Sequence, residues 1–186
     1  MIFHSSTMLF VISVVAFPLV ARAEDAVCYP RNLYLTRHTE KLVEDGNRDP
    51  GLSEAGITRS HALVEHLEGI KMSALISSQY NRTRDTLKPL AKVNGLKVQD
   101  WDVGDAEGLI KKIRTKHCGE NLIIAGHSNT VPYLIRRLGV KAKVMLGDVL
   151  LPADTITYLG ESNYGTLFTI TWANGKPSLS ATQYGD

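Results

Sequence analysis

The sequence predicts an α/β domain: a three-layer α/β/α sandwich with a mostly parallel central sheet and an antiparallel edge or hairpin at its C-terminal end. Between about residues 33 and 139, short apolar runs of strand length alternate with longer runs of helical period. Such alternation is typical of a parallel sheet that is covered by helices on both faces. The C-terminal part instead contains strand-like runs separated by turn residues, which favours antiparallel strands.

The alternating part contains four predicted strand–helix units. Ser53 is the expected N-cap of the first helix, which Gly69 ends. Pro89 should either kink the second helix or mark its start, because proline lacks the amide donor. The predicted elements are a strand from Leu33, a polar loop at 41–51, a helix to Gly69, a strand at 72–78, a helix at 81–93, a strand at 96–102, a helix at 105–116, a strand at 121–127 and a helix at 129–138.

The C-terminal part is predicted to form three more strands, at 154–159, 166–172 and 178–183. Asn174-Gly175 lies between the last two, and this dipeptide is a strong signal for a tight hairpin. We therefore expect an antiparallel addition at one edge of the sheet.

The first 23 residues have the pattern of a signal peptide. An apolar run from Met8 to Val20 is followed by Ala21-Arg22-Ala23, with small residues at the two positions that a signal peptidase reads. The alternative is an uncleaved anchor, but the run is shorter than the ~20 apolar residues that a spanning helix needs. We expect a signal peptide at 1–23, one domain at 24–186, export, and no stable membrane span after cleavage.

The two cysteines, Cys28 and Cys118, precede His38 and His127 by similar distances along the chain. If the two strands between them are parallel neighbours, both cysteines lie at the same end of the sheet. In an exported protein this predicts a Cys28–Cys118 disulfide, whereas two free thiols are expected if the chain is not exported.

The charge of the chain excludes one class of partner. The formal net charge is only +2, and the charged residues are dispersed. This is too weak a balance to predict nucleic-acid binding. The sequence carries no signal for an oligomeric state.

Four basic side chains follow the ends of predicted strands. Arg37 and His38 follow the first strand, Arg82 comes just after the second, and His127 follows the fourth. In an open parallel sheet these ends meet at one edge, where ligands bind. Guanidinium groups match phosphate oxygens, and imidazole is a competent nucleophile. Amide donors from the helix after His127, beginning near Ser128, add to a predicted site for a dianionic phosphate.

Four segments resemble the signatures of the histidine phosphatase superfamily, which has the phosphoglycerate mutase-like fold. They are, in order, LYLTRHTE, DPGLSEAG, SSQYNRTRDT and IIAGHSNT, and the resemblance runs from about residue 31 to 139. It implies that His38 is transiently phosphorylated and that Arg37, Arg82 and His127 bind the phosphate. The chain departs from the family in having Thr39 where glycine or alanine is more usual.

The resemblance also implies an acidic proton donor at or just after the third strand. Asp102 is the first candidate because it lies at the predicted strand end. Asp105 is equally well explained as a helix N-cap, and Glu107 as a residue of the first helical turn. Glu40 is expected to orient the nucleophile.

These features together predict a metal-independent phosphomonoesterase without a cofactor. It would act through a phosphohistidine on a small phosphorylated metabolite or an envelope component. A phosphomutase and a non-catalytic phosphate- or partner-binding module remain alternatives. The sequon Asn81-Arg82-Thr83 would place a glycan beside the phosphate arginine, which favours a bacterial periplasmic or secreted protein over a eukaryotic one. Specificity is expected to lie in the segments 41–51 and 140–153.

Overall fold

The structure is a computed structural model that describes residues 27–43 and 45–185. The predicted signal peptide at 1–23 lies outside these residues, so it stays a prediction, as does the 24–186 domain boundary. In the described part, no helix is long and apolar enough to cross a bilayer. The elements are β1 Asn32–Arg37, α1 Glu54–His66, β2 Ala74–Ser78, α2 Asn81–Asn94, β3 Val98–Trp101, α3 Ala106–Lys116, β4 Asn121–Gly126, α4 Thr130–Arg137, β5 Lys143–Leu146, β6 Val149–Pro152, β7 Thr166–Ala173 and β8 Lys176–Gln183.

The central sheet has six strands in the order β3-β2-β4-β1-β7-β8. Strands β3, β2, β4 and β1 are parallel, β7 is antiparallel to β1, and β8 is antiparallel to β7. The predicted fold class is therefore confirmed, including the antiparallel C-terminal hairpin. The parallel strands place their carboxyl ends at one edge of the sheet.

The central strands are buried on both faces, and successive side chains enter different cores. Leu33 and Leu35 of β1 belong to the cluster that contains the apolar residues of α3 and α4. Tyr34, between them, belongs to the cluster that contains those of α1 and α2. The sheet is thus the middle of three layers.

The predicted helix starts agree with the structure. The Ser53 hydroxyl accepts a hydrogen bond from the amide of Gly56 at 3.2 Å, and the Asp105 carboxylate accepts one from the amide of Gly108 at 2.9 Å. Both residues are therefore N-caps. Pro89 lies inside α2, which begins at Asn81, so the proline does not mark the start of that helix.

The strand predicted at 154–159 is wrong. Residues 153–155 form a 3-10 turn, and the amide of Leu159 donates to Ser128 O at 2.8 Å instead of to a strand partner. The pairing occurs earlier, between β5 and β6, in the segment expected to be a loop. Gly147-Asp148 joins these strands, with φ of +61° at Gly147, and a Gly-Asp pair between apolar runs is itself a hairpin signal.

The predicted disulfide is confirmed. Cys28 and Cys118 are bridged, with their Cα atoms 5.3 Å apart. The bridge lies just before the amino ends of β1 and β4, which pair from Asn32 and Asn121 onward. It therefore links the two strands at the end opposite to the two histidines.

Candidate active site

The two histidines meet because β1 and β4 are parallel neighbours in register. Arg37, the last residue of β1, pairs with Gly126, the last residue of β4. The amide of His38 donates to Gly126 O at 2.9 Å, so the chain stays in contact with β4 as it leaves the sheet. The ring centroids of His38 and His127 are 5.4 Å apart.

The protonation of His38 follows from its surroundings. Its Nδ1 lies 2.7 Å from Thr39 O. A carbonyl oxygen only accepts, so Nδ1 carries the hydrogen and Nε2 keeps its lone pair. Burial lowers the pKa of His38 to about 3; the Thr39 hydrogen bond opposes this, and electrostatic interaction with His127, Arg37 and Arg82 adds to it. The imidazole is therefore neutral at physiological pH, as the predicted nucleophile role requires.

Thr39 ties the nucleophile to both helices on one side of the sheet. Its amide donates to the Thr86 hydroxyl of α2 at 3.0 Å, and its own hydroxyl donates to Gly56 O of α1 at 2.8 Å. Thr39 is fully buried. The hydroxyl of the threonine that departs from the family pattern thus makes a hydrogen bond to Gly56 O that glycine or alanine could not make.

Arg37 is held by a segment that is distant in the sequence. Its Nη1 donates to Leu159 O at 3.1 Å and to Gly160 O at 2.8 Å, and its Nη2 donates to the Tyr164 hydroxyl at 3.1 Å. The guanidinium carbon also lies 4.0 Å from the centre of the Tyr164 ring. Of the five N–H donors of arginine, two remain, one on Nη2 and one on the buried, unpartnered Nε.

Arg82 projects from the first turn of α2 toward His127. Its Nη2 lies 3.4 Å from Nδ1 of His127, and its Nη1 lies 3.7 Å from the carboxylate of Asp49. The guanidinium also lies over the Tyr80 ring, 4.5 Å from its centre. The side chain is 15% exposed, so its charge is only partly screened by water.

His127 is neutral as well. Arginine can only donate, so the contact with Arg82 requires an unprotonated Nδ1, and the hydrogen is on Nε2, 2.8 Å from the Ser78 hydroxyl. Burial lowers the pKa of His127 to about 4, with the charges of Arg82 and Arg37 adding to the effect. The backbone of His127 is held by a hydrogen bond of 2.7 Å from its amide to the Thr130 hydroxyl.

These residues line one cavity of about 610 Å³. Its size falls within the roughly 300–1,000 Å³ of small-molecule sites. In the described part of the chain, its lining contains three cationic side chains and no carboxylate. The lining residues are Arg37, His38, Lys41, Tyr80, Arg82, Val103, His127, Ser128, Asn129, Thr130 and Tyr158. The structure thus brings together the predicted Arg37, His38, Arg82, His127 and Ser128.

The predicted proton donor is not among them. Asp102 lines a separate cavity of about 240 Å³, and its carboxylate accepts the amide hydrogen of Gly104 at 2.9 Å. Asp105 caps α3, and Glu107 forms an ion pair with Arg137 at 2.5 Å. The acid role of Asp102 stays a prediction, to which this placement adds no support.

Glu40 contacts Arg59 rather than the ring of His38. Its two carboxylate oxygens accept from Nε of Arg59 at 2.9 and 3.1 Å. Nη1 of Arg59 also donates to Tyr184 O at 3.1 Å and to Gly185 O. The ion pair therefore joins the segment after the nucleophile to the C-terminal residues. An effect of Glu40 on His38 stays a prediction.

Contributors to the site from residues 158–164 were missed at the level of sequence. Tyr164 and the carbonyls of residues 159–160 hold Arg37, and Tyr158 lines the cavity. All lie more than one hundred residues after Arg37 along the chain, and no local pattern marks them. Within residues 27–43 and 45–185, no group of three or more histidine, cysteine, aspartate or glutamate side chains could hold a metal ion. Metal independence stays a prediction.

Comparison with known proteins assigns the fold. Residues 33–117 match the model of the histidine phosphatase superfamily (branch 1). Mycobacterial hydrolase 2 is 18% identical, with a TM-score of 0.59 and coverage of 84% of this chain and 92% of its own. Mycobacterial glucosyl-3-phosphoglycerate phosphatase in complex with inorganic phosphate is 16% identical, with a TM-score of 0.57 and coverage of 82% and 95%.

A third similar structure is Bacillus stearothermophilus YhfR, which is 17% identical, with a TM-score of 0.59 and coverage of 80% of this chain and 94% of its own. No curated protein sequence matches the chain significantly. At these identities the solved structures establish the fold, and the family model covers the segment that carries His38 and Arg82. Residues 33–117 are thus similar to the histidine phosphatase superfamily, and the solved structures show that the chain shares the fold of these proteins.

Proposed function

We propose that the protein is a phosphomonoesterase that works through a transient phosphohistidine on His38. The observation that carries the proposal is the hydrogen bond from Nδ1 of His38 to Thr39 O, in a cavity that also contains Arg37 and Arg82. It leaves Nε2 with a free lone pair, and the two guanidinium groups supply the positive charge that a phosphoryl group requires. Surrounding cations provide most of the catalysis of phosphoryl transfer, since its transition state is loose.

The proposed reaction has two displacements at phosphorus. In the first, the Nε2 lone pair of His38 forms a P–N bond while the P–O bond to the alcohol breaks, and the leaving oxygen takes up a proton from the acid, for which Asp102 is the predicted residue, or from solvent; the proton that water loses in the second displacement replaces it. In the second, water adds to phosphorus, the P–N bond breaks, and its electron pair returns to Nε2. The water loses a proton, and inorganic phosphate is released.

Arg37, Arg82 and His127 are proposed to bind the phosphoryl oxygens, with Ser128 at the start of the segment leading into α4. Arg37 has two unused N–H donors, and Arg82 makes a 3.4 Å contact with Nδ1 of His127 and a long ion pair with Asp49 at 3.7 Å, which leaves further N–H donors unused. Both arginines therefore have hydrogen-bonding capacity left for an oxyanion. The substrate is proposed to be a small phosphorylated metabolite or a phosphorylated envelope component.

A phosphate- or partner-binding module without effective turnover is the second candidate. One observation favours it: no carboxylate lines the described part of the cavity, so an alkoxide leaving group has no evident acid to protonate it. A phosphomutase is the third, and it would need the phosphoenzyme to be shielded from water. Conversion of Asp102 to asparagine separates the first two candidates. If Asp102 is the acid, kcat on alkyl phosphates falls while phosphoenzyme still forms from an activated aryl ester.

Trapping the intermediate tests the central proposal. The protein is mixed briefly with ³²P-labelled phenyl phosphate and quenched in alkali, because phosphohistidine is labile in acid. We expect stoichiometric label in the wild type and none in His38→Ala. The control is His61→Ala, which changes a histidine on the exposed side of α1. Equal labelling of wild type and His38→Ala would overturn the mechanism, and absence of turnover and label in the wild type would favour the binding module.

Export to the periplasm or beyond is part of the proposal. The Cys28–Cys118 bridge supports it, because structural disulfides persist in oxidising compartments. Expression of the full chain in a Gram-negative host tests it. We expect a periplasmic product whose mass corresponds to cleavage after Ala23; an uncleaved product in the cytoplasm would contradict it.

A further inference from the structure

We propose that Lys41 and Tyr158 form a subsite for the leaving group, which selects phosphomonoesters whose alcohol part carries a second anionic group. The inference rests on the proposed function, and it names the class of substrate that the cavity fits. Both residues lie in the cavity lining but take no part in the predicted phosphate site. Lys41 lies three residues after His38. Tyr158 directly precedes Leu159, whose carbonyl accepts a hydrogen bond from Arg37.

Lys41 is held at its backbone, and its side chain makes no ion pair with any described residue. Its backbone bridges to Leu52, and the next amide, of Leu42, donates to Gly51 O at 3.0 Å. No carboxylate among residues 27–43 and 45–185 lies within ion-pair distance of its ammonium group. The lysine is exposed and lies three residues after the nucleophile. A cation in this position has no structural partner in the described chain and is available to a ligand.

The positive charge of the cavity lining exceeds the negative charge of one phosphate dianion. Arg37 and Arg82 match the two charges of a phosphate dianion, although Asp49 already lies 3.7 Å from Arg82. Lys41 adds a third cation to a lining without carboxylates in its described part. A ligand with a second anionic group would balance this charge, because an unpaired cation beside a bound ligand favours the more anionic of two otherwise equal ligands.

Tyr158 supplies an aromatic surface on the same cavity. Its side chain is 63% exposed, which is high for so large a residue. The backbone of the adjacent Leu159 is held at both of its polar groups: its amide donates to Ser128 O at 2.8 Å, and its carbonyl accepts from Arg37 at 3.1 Å. An exposed aromatic ring on a restrained backbone is suited to contact the ring of a sugar or an aryl alcohol at a low cost in entropy.

A matched pair of substrates tests the proposal. Glucuronic acid 1-phosphate and glucose 1-phosphate share the same ring and the same phosphate ester. They differ only at C6, which is a carboxylate in the first and a hydroxymethyl group in the second. We expect the wild type to prefer the former by about threefold to fivefold in kcat/KM at low ionic strength, the size expected for one exposed charge pair. Lys41→Gln should abolish the preference, Lys41→Arg should keep it, and Lys41→Glu should reverse it. High salt should also reduce it.

Two measurements separate a leaving-group subsite from a general effect of charge. Inorganic phosphate has no leaving group, so its inhibition constant should be the same in the wild type, Lys41→Gln and Tyr158→Ala. Tyr158→Ala should raise KM for both sugar phosphates equally. Lys176→Gln, at the start of β8 and outside the cavity lining, is the control and should change nothing. An equal loss of affinity for inorganic phosphate and for the sugar phosphates in Lys41→Gln would overturn the proposal.

The test does not depend on turnover. Binding of the two sugar phosphates to His38→Ala can be measured by calorimetry. If the wild type hydrolyses neither sugar phosphate nor phenyl phosphate, the proposed phosphatase function fails, while the ratio of the two affinities still tests the subsite. If the affinities are equal in His38→Ala and remain equal after Lys41→Gln is added, the subsite is wrong whatever the outcome for catalysis.

Discussion

The two ends of the β1–β4 pair are built differently. Before the amino ends, the Cys28–Cys118 disulfide joins the neighbouring chain segments covalently. At the carboxyl ends, where Arg37 pairs with Gly126, hydrogen bonds, ionic contacts and aromatic rings hold the side chains. One end carries a cross-link, whereas the other gathers basic groups in a cavity. The comparison suggests that stability and chemistry are separated along the same two strands.

The largest expected effect is on catalysis at the carboxyl end. Arg82→Ala should lower kcat/KM for phenyl phosphate by roughly 10²–10³, the range for loss of one group that stabilises transition-state charge. Unfolding in urea should change little. The control is Arg84→Ala, two residues along α2, whose guanidinium pairs with Asp100 at 2.6 Å on the surface. Similar losses in both variants would mean that the effect is not specific to the cavity.

The next effect is on stability at the amino end. Replacing both cysteines by serine releases a cross-link with a sequence separation of 90 residues. On the chain-entropy account this lowers the free energy of unfolding by about 4 kcal/mol, and measured values for native bridges are typically about 2–5 kcal/mol. Activity per folded molecule should persist at temperatures where the variant remains folded. A large loss of kcat without a loss of stability would break the proposed separation of the two ends.

A smaller change tests how α1 positions the nucleophile segment. A Cβ at Gly56 would lie only 2.0 Å from Glu40 O, so the helix or the segment after His38 must shift. Gly56→Ala should destabilise the protein by about 1–3 kcal/mol and lower kcat/KM, although glycine-to-alanine changes inside helices usually stabilise. Gly51→Ala is the control, since its Cβ would meet nothing closer than 3.4 Å. A stabilised Gly56→Ala would contradict the close packing.

A last effect is the pH dependence that the two neutral histidines produce. Their pKa values are lowered by burial to about 3 for His38 and about 4 for His127, whereas an unfolded histidine titrates near 6.5. Below about pH 6.5 the unfolded chain binds protons that the folded chain does not. The free energy of unfolding should therefore fall as the pH is lowered from about 6.5 toward 4, and should not change through these groups above about pH 7.

Urea unfolding at pH 7.5 and pH 5 measures this effect. The decrease should be smaller in a variant with His38→Ala and His127→Asn together, and unchanged in His61→Ala. Histidine NMR signals provide a second measurement, since neither active-site ring should become protonated between pH 8 and pH 5. Protonation of His38 near pH 6.5 would contradict the neutral imidazole on which the proposed mechanism depends.

Much of the site is predictable because its residues are adjacent to strong local patterns. Arg37, His38 and His127 directly follow apolar strands, and Arg82 opens a helix. Once the sheet is known to be parallel, their convergence in one cavity follows from topology. The same reasoning placed the two cysteines at the other end. Caps at Ser53 and Asp105 are likewise local, because each hydrogen bond spans three residues.

The sequence by itself therefore determined the order of strands and helices up to α4 and the C-terminal hairpin, the end of the sheet where the basic groups collect, and the disulfide. Only the tertiary structure decided which groups surround Arg37 and which residues complete the cavity. Tyr164, Tyr158 and the Leu159 carbonyl reach the site across more than one hundred residues, and Asp102 turns into another cavity. The physical reason is the range of the interactions along the chain. Strand periodicity and capping involve residues that are close in the sequence, whereas these contacts depend on how separate layers of the fold pack together.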